Sequence, residues 1–183
     1  MEESEIIREC VTYKNEAQQI IFERYFGKMM GVCLRYSKDI EQAREILHEG
    51  FFTAFKTIKK YSFDACFENW LKEIMISTAI IILHKNRQAY LIASTVNASK
   101  TKQTTAQTNN QLSDEKLESL DSETVLHALQ QLAPAYRALY NLSVIDEFSI
   151  KQITEKLDLS EETAIANLAK AKFYLQKNLS AFI

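Results

Sequence analysis

From Asn15 to Arg35 apolar residues recur at helical spacing, with Ile21, Tyr25, Met29, Val32 and Tyr36 on one face, and Lys38-Asp39 supplies a break. Asp39 is expected to cap the helix that follows. That helix has the clearest amphipathic pattern in the chain: Ala43, Leu47, Phe51, Ala54 and Ile58 fall on one side, and Glu45, Glu49, Phe52 and Lys56 fall opposite. One face packs and the other is left to meet a partner. A loop rich in aromatics, Tyr61 to Phe67, leads to a long helix expected from about Glu68 to Tyr90. Its densest apolar stretch, Ile74 to Leu83, is far shorter than the roughly 20 residues needed to cross a bilayer, so it predicts a helix buried on several sides.

Residues 93–116 then form a polar tract of Thr, Asn, Gln and Ser with almost nothing to bury, which predicts a disordered linker. Short helices follow. Asp121 or Ser122 caps one through Leu132, Pro134 opens another through Val144, and Ser149 caps a third ending near Leu157. The last runs from Ser160 to about Leu179. Ile150, Ile153 and Leu157 stripe one member of this final pair, Asp158-Leu159-Ser160 makes the turn, and Ala164, Leu168, Ala171 and Leu175 stripe the other. The form is helix-turn-helix, although a plain helical hairpin in a bundle explains the same stripes.

Composition strengthens the helical reading. Glycine occurs three times and proline once in 183 residues, so the turn chemistry of hairpins and sheets is nearly absent, and the fold class expected is all-α with two helical domains. Charge points away from a general nucleic-acid binder: the net charge is −2, and residues 117–183 hold six basic against nine acidic side chains. Cys10, Cys33 and Cys66 lack the paired spacing of a zinc site and read as reduced, mostly buried thiols. The start, Met1-Glu-Glu-Ser-Glu, is acidic where a secretory signal would be basic, so the chain is expected in the cytoplasm without membrane insertion. An enzyme is not expected. His48, His84 and His127 lie on separate segments, no nucleophile–base set assembles, no glycine-rich phosphate loop exists, and no metal or cofactor is implied.

Three segments in order carry a family resemblance: EQAREILHEGFFTAF at 41–55, FENWLKEI at 67–74, and, beyond the polar tract, LAPAYRALYNLSVIDEFSIKQITEKLDLSEETAIANLAKAK at 132–172. Together they resemble the extracytoplasmic-function (ECF) group of bacterial RNA polymerase sigma factors. The resemblance implies a region 2-like domain over 1–92 that binds core polymerase and opens the minus-ten element. It implies a linker over 93–116, and a region 4-like helix-turn-helix over 117–183 that reads the minus-thirty-five element. The partners it implies are core RNA polymerase, promoter DNA and an anti-sigma factor.

The resemblance also assigns residues. Glu45, Ile46, His48, Glu49 and Phe52 fall where the family binds the polymerase clamp. A solvated acidic face explains the carboxylates equally, but an aromatic among exposed charges is costly unless something covers it. Lys59, Lys60, Tyr61, Phe63 and Ser77 fall at the minus-ten contacts, with the loop aromatics either capturing an unstacked base or plugging the end of the bundle. Ser160, Thr163, Ala166, Asn167 and Lys170 fall at the minus-thirty-five contacts.

The DNA-facing positions depart from the family pattern. Ile76-Ser77 and Ile81 stand where the minus-ten helix commonly has Arg-Asn and Asp, Ile165 and Asn167 where Lys and Arg are usual, and Asp158 where the turn has glycine. A second reading accommodates this loss: a sigma-like interaction protein that binds an anti-sigma factor or polymerase without reading promoter DNA.

Overall fold

The computed structural model describes residues 2–12, 14–85 and 121–182, and every regular element among them is helical. The chain divides into two compact units, Met1–Ile82 and Leu83–Ile183. The expected linker at 93–116, and the expected end of the long helix near Tyr90, lie outside the described residues.

The first unit holds α1 (Glu3–Val11), α2 (Asn15–Tyr36), α3 (Ile40–Thr57) and all but the last three residues of α4 (Phe67–Lys85). Helix α1 adds an element that the periodicity did not predict. It buries Ile6, Ile7 and Cys10, and Glu3 accepts a hydrogen bond from the Tyr25 hydroxyl at 2.5 Å, tying α1 to α2. Burial, and then that bond, push the Tyr25 phenol well above its ordinary range. The expected stripe of α2 is buried throughout, as is the stripe Ala43, Leu47, Phe51 and Ala54 of α3. Asp39 caps α3 by accepting from Gln42 N at 2.8 Å.

Helix α4 is seated by three contacts. Lys28 of α2 pairs with Glu68. The rings of Tyr25 and Phe67 meet at 5.5 Å. Gly50 of α3 lies so close to Met75 that a Cβ there would collide with its sulfur. Among Ile74 to Leu83 most side chains are buried, and Ile81 is the exposed one.

The second unit holds α5 (Ser122–Gln130), α6 (Pro134–Tyr140), α7 (Ile150–Leu157) and α8 (Glu161–Leu179). Its core joins Ala128, Leu129, Leu132 and Tyr136 to Ala171, Leu175 and Leu179 of α8. Asp121 caps α5 through Thr124 N at 2.6 Å. The backbone N–H bonds that Asp39 and Asp121 accept hold both carboxyls below their usual range, so the contribution of these caps is present at neutral pH and is lost as pH falls through the carboxylate range.

Helix α6 stops being α-helical four residues before the expected end at Val144 and continues as a π-turn over Asn141–Ile145. The Asn141 side chain donates to the Arg137 carbonyl at 2.8 Å, and Asp146 N bonds back five residues to Asn141 O. Such side-chain competition for backbone carbonyls accompanies local rewinding of helices. The Arg137 side chain is buried, yet its guanidinium donates to Gln130 O at 2.7 Å, a cation placed at the C-terminal end of α5.

Two of the three thiols are buried as expected, and Cys66 is exposed. Burial pushes Cys10 up to about 11, with Glu9 adding to it, and Cys33 up to about 12. Since the thiolate is the reacting form, a maleimide at pH 7 to 8 should label one thiol per native chain, at Cys66, and three after unfolding. Mass spectrometry of the labelled peptides checks this, and labelling of native Cys33 would contradict the packing described.

Candidate functional site: three exposed surfaces

The first surface is the outer face of α3. Because the inner stripe is consumed by α2 and α4, Glu45, His48, Glu49, Phe52 and Lys56 are all exposed, and Phe52 shows 65% of its surface. Spacing of three and four residues brings Glu45, His48, Glu49 and Phe52 onto adjacent positions of one face. Ile46, assigned to this face from the resemblance, is a correction: it is only 1% exposed and belongs to the core. It sits one position before Leu47 and three after Ala43, inside a buried stripe wider than its five most regular positions suggest. Behind this face, the Phe51 ring stacks on Phe55 and packs at 4.7 Å on Phe22 of α2, so the helix carrying Phe52 is held rigidly.

The second surface is the turn after α3. Lys59 and Lys60 are exposed on a 3-10 turn spanning Ile58–Lys60, and Phe63 is exposed in the loop. Tyr61 is the second correction. It is 8% exposed, its ring meets Phe63, Phe67 and Trp70 at 5.2 to 5.3 Å, and its hydroxyl donates to Ala65 O. Tyr61 thus fills the end of the bundle, and its neighbour Phe63 is the one presented to solvent. Arg8 of α1 lies over the Phe63 ring at 5.4 Å. This cation belongs to the surface and was not foreseen, because α1 itself was not. On α4, Ser77 is half-buried, Ile76 is buried and Ile81 is exposed.

The third surface is the outer face of α8. Ser160 is its N-cap, accepting from Thr163 N at 3.2 Å and sharing a hydrogen bond with Thr163 Oγ1 at 2.8 Å. Thr163 and Ala166 are exposed, and Asn167 and Lys170 are half-buried. Glu161 and Glu162 stand in the first turn, where the helix dipole favours them but a phosphate would not. Ile165 and Phe173 are also exposed.

The turn that sets α8 against α7 depends on Asp158, held left-handed at φ 52°. Ser149 and Gln152 form a reciprocal capping box at the other end of α7. A left-handed residue with a Cβ costs free energy that glycine avoids, so Asp158→Gly should leave the fold intact and raise stability by about 0.5 kcal/mol. Chemical denaturation would show the gain, and a loss above about 1 kcal/mol would mean that the Asp158 side chain holds the turn.

Comparison with known proteins bears on the whole arrangement. Residues 122–172 match the family model described as Sigma-70, region 4. The ECF RNA polymerase sigma factor SigW of Bacillus subtilis is 25% identical over 162 residues, 87% of either chain. The RNA polymerase sigma-H factor of Pseudomonas aeruginosa is 29% identical over 63 residues, 34% of this chain and 33% of that one. The fold is that of the sigma factor RpoE of Bartonella quintana, solved in complex with the anti-sigma factor NepR: the TM-score is 0.53 at 14% identity, over 88% of this chain and 96% of the other. The second unit thus matches sigma-70 region 4, and along most of its length the chain is similar to an ECF sigma factor.

Proposed function

We propose that the chain directs core RNA polymerase to promoters and initiates transcription there, acting in the cytoplasm through binding and without chemistry of its own. The observation that carries this reading is the outer face of α3, where Phe52 stands exposed among Glu45, His48 and Glu49 on a rigidly packed helix. An apolar ring among charges gains most when a partner covers it. Those four residues are the proposed contact with core polymerase.

Lys59, Lys60 and Phe63, with Ser77 on α4, are the proposed minus-ten contacts: the lysines attract phosphate and the exposed ring offers a stacking face for an unpaired base. Thr163, Ala166, Asn167 and Lys170, with Ser160 at the helix start, are the proposed minus-thirty-five contacts. Domain limits of 1–92 and 117–183, joined by 93–116, suit two surfaces that engage separate promoter elements. An anti-sigma factor is the proposed regulator, by likeness to the Bartonella quintana protein solved with one.

Affinity purification of the chain from its source organism tests the reading. Recovery of the core polymerase subunits is the result expected. Recovery of a small partner alone, with no polymerase at any salt concentration, would overturn it.

A further inference from the structure

The outward stripe of α8 has an order along its length that DNA contact does not explain. Glu162, Ala166, Ala169, Phe173 and Gln176 are all exposed and follow one another in alternating steps of four and three, the seam spacing of a helix that pairs with another helix. Beside them Ile165 is 55% exposed, and Phe173 in the seam is 57% exposed. The stripe is acidic at its start, with Glu161 and Glu162. It is apolar or small in the middle, and basic towards its end, with the exposed Lys172 and Lys177.

A helix acidic at one end and basic at the other is complementary to a reversed copy of itself. When two such helices lie antiparallel and centred on Ala169, Glu162 of each falls level with Gln176 of the second copy, one residue from its Lys177 and within reach of that long side chain. Ile165 comes opposite Phe173, and Ala169 faces Ala169, where small side chains let the backbones approach. A two-fold axis makes each of these off-centre contacts twice.

We propose that α8 is a self-association surface through which two copies of this chain pair, antiparallel, across the face that also holds Thr163, Ala166 and Lys170. Charge selects this partner and this direction. A parallel pair would set Glu162 on Glu162 and Lys177 on Lys177, and a uniformly acidic or basic partner would suit only one end. From Glu162 to Lys177 the seam runs about 22 Å at 1.5 Å per residue. A single helix pair of that length falls among the small, transient interfaces, below about 1,200 Å² in total. Pairing therefore sets in at high protein concentration and hides the face from a duplex. The proposal concerns the surface itself and stands whether or not α8 reads DNA.

Sedimentation equilibrium of the full chain at low salt tests it. A monomer–dimer equilibrium is expected, weakening as salt rises. Glu162→Lys or Lys177→Glu alone should weaken the dimer about tenfold, because two attractive pairs become repulsive, and the two together should restore it. Phe173→Glu should leave only monomer. In a Cys66→Ser background, Ala169→Cys should cross-link through a short bifunctional thiol reagent, whereas Gln176→Cys, about 21 Å from its own mate, should not. A chain that stays monomeric at millimolar concentration overturns the proposal. So does a dimer indifferent to Phe173→Glu, or one that the double charge reversal fails to restore.

Discussion

Phe52→Ala is expected to weaken binding of core RNA polymerase at least tenfold while shifting thermal unfolding by no more than a degree or two. The ring is 65% exposed, so little of its burial is lost on truncation, and exposed substitutions usually stay within about 0.5 kcal/mol of stability. A partner that covers it loses an aromatic anchor, and truncating such anchors costs about 2 kcal/mol or more of binding. Glu49→Lys should act in the same direction by reversing a charge on the same face.

Ile46→Ala is the control that separates surface from core. With 1% of its surface exposed it should lose about 2 to 4 kcal/mol of folding stability. The protein that remains folded should bind polymerase as the parent does. Fluorescence anisotropy for binding and calorimetry for unfolding read the two effects separately. If Phe52→Ala destabilises as much as Ile46→Ala, the ring is structural and the interface assignment to α3 fails.

The second large effect is expected on the salt dependence of DNA binding. The outer face of α8 presents Ile165 and Asn167 where basic residues are usual in the family, and its first turn carries Glu161 and Glu162. Each phosphate contact contributes about 0.9 to the slope of log affinity against log salt, so the native chain should show a shallow slope and weak non-specific binding. Ile165→Lys with Asn167→Arg should steepen that slope by up to roughly two units if the helix lies in a major groove. Ile165 is 55% exposed and Asn167 half-buried, so neither substitution places a charge in the core. A duplex titrated across salt concentrations checks this. A double variant whose slope equals the parent's would show that α8 does not dock on DNA.

Most of the helical framework was legible because long periodic stripes and capping residues are local signals. Ile21 to Tyr36 and Ala43 to Ile58 reported their buried faces directly, and Asp39, Asp121, Pro134 and Ser149 marked helix starts by side-chain chemistry that acts within a few residues. What escaped was decided by contacts distant in sequence. Helix α1 is short, and its Ile6, Ile7 and Cys10 gain burial only from the rest of the unit, with Glu3 reaching Tyr25 far along the chain.

The site followed the same division. The exposed face of α3 was visible because it lies opposite a regular stripe. Tyr61 and Phe63 were not distinguishable, since a loop has no period and ring packing against Phe67 and Trp70 decides which aromatic turns inward. Arg137 gave no signal at all: a buried guanidinium is tolerable there because acceptors such as the Gln130 carbonyl lie within reach.

The central claim, that this chain starts transcription at promoters, is tested most directly by reconstitution. Purified chain and core polymerase are mixed on sheared genomic DNA of the source organism, and the 5′ ends of the transcripts are sequenced. Initiation at a limited set of positions that share two upstream elements, dependent on the chain and lost with Phe52→Ala, is the result the account predicts. A stable complex with core polymerase that yields no start sites beyond those of core polymerase alone would contradict it.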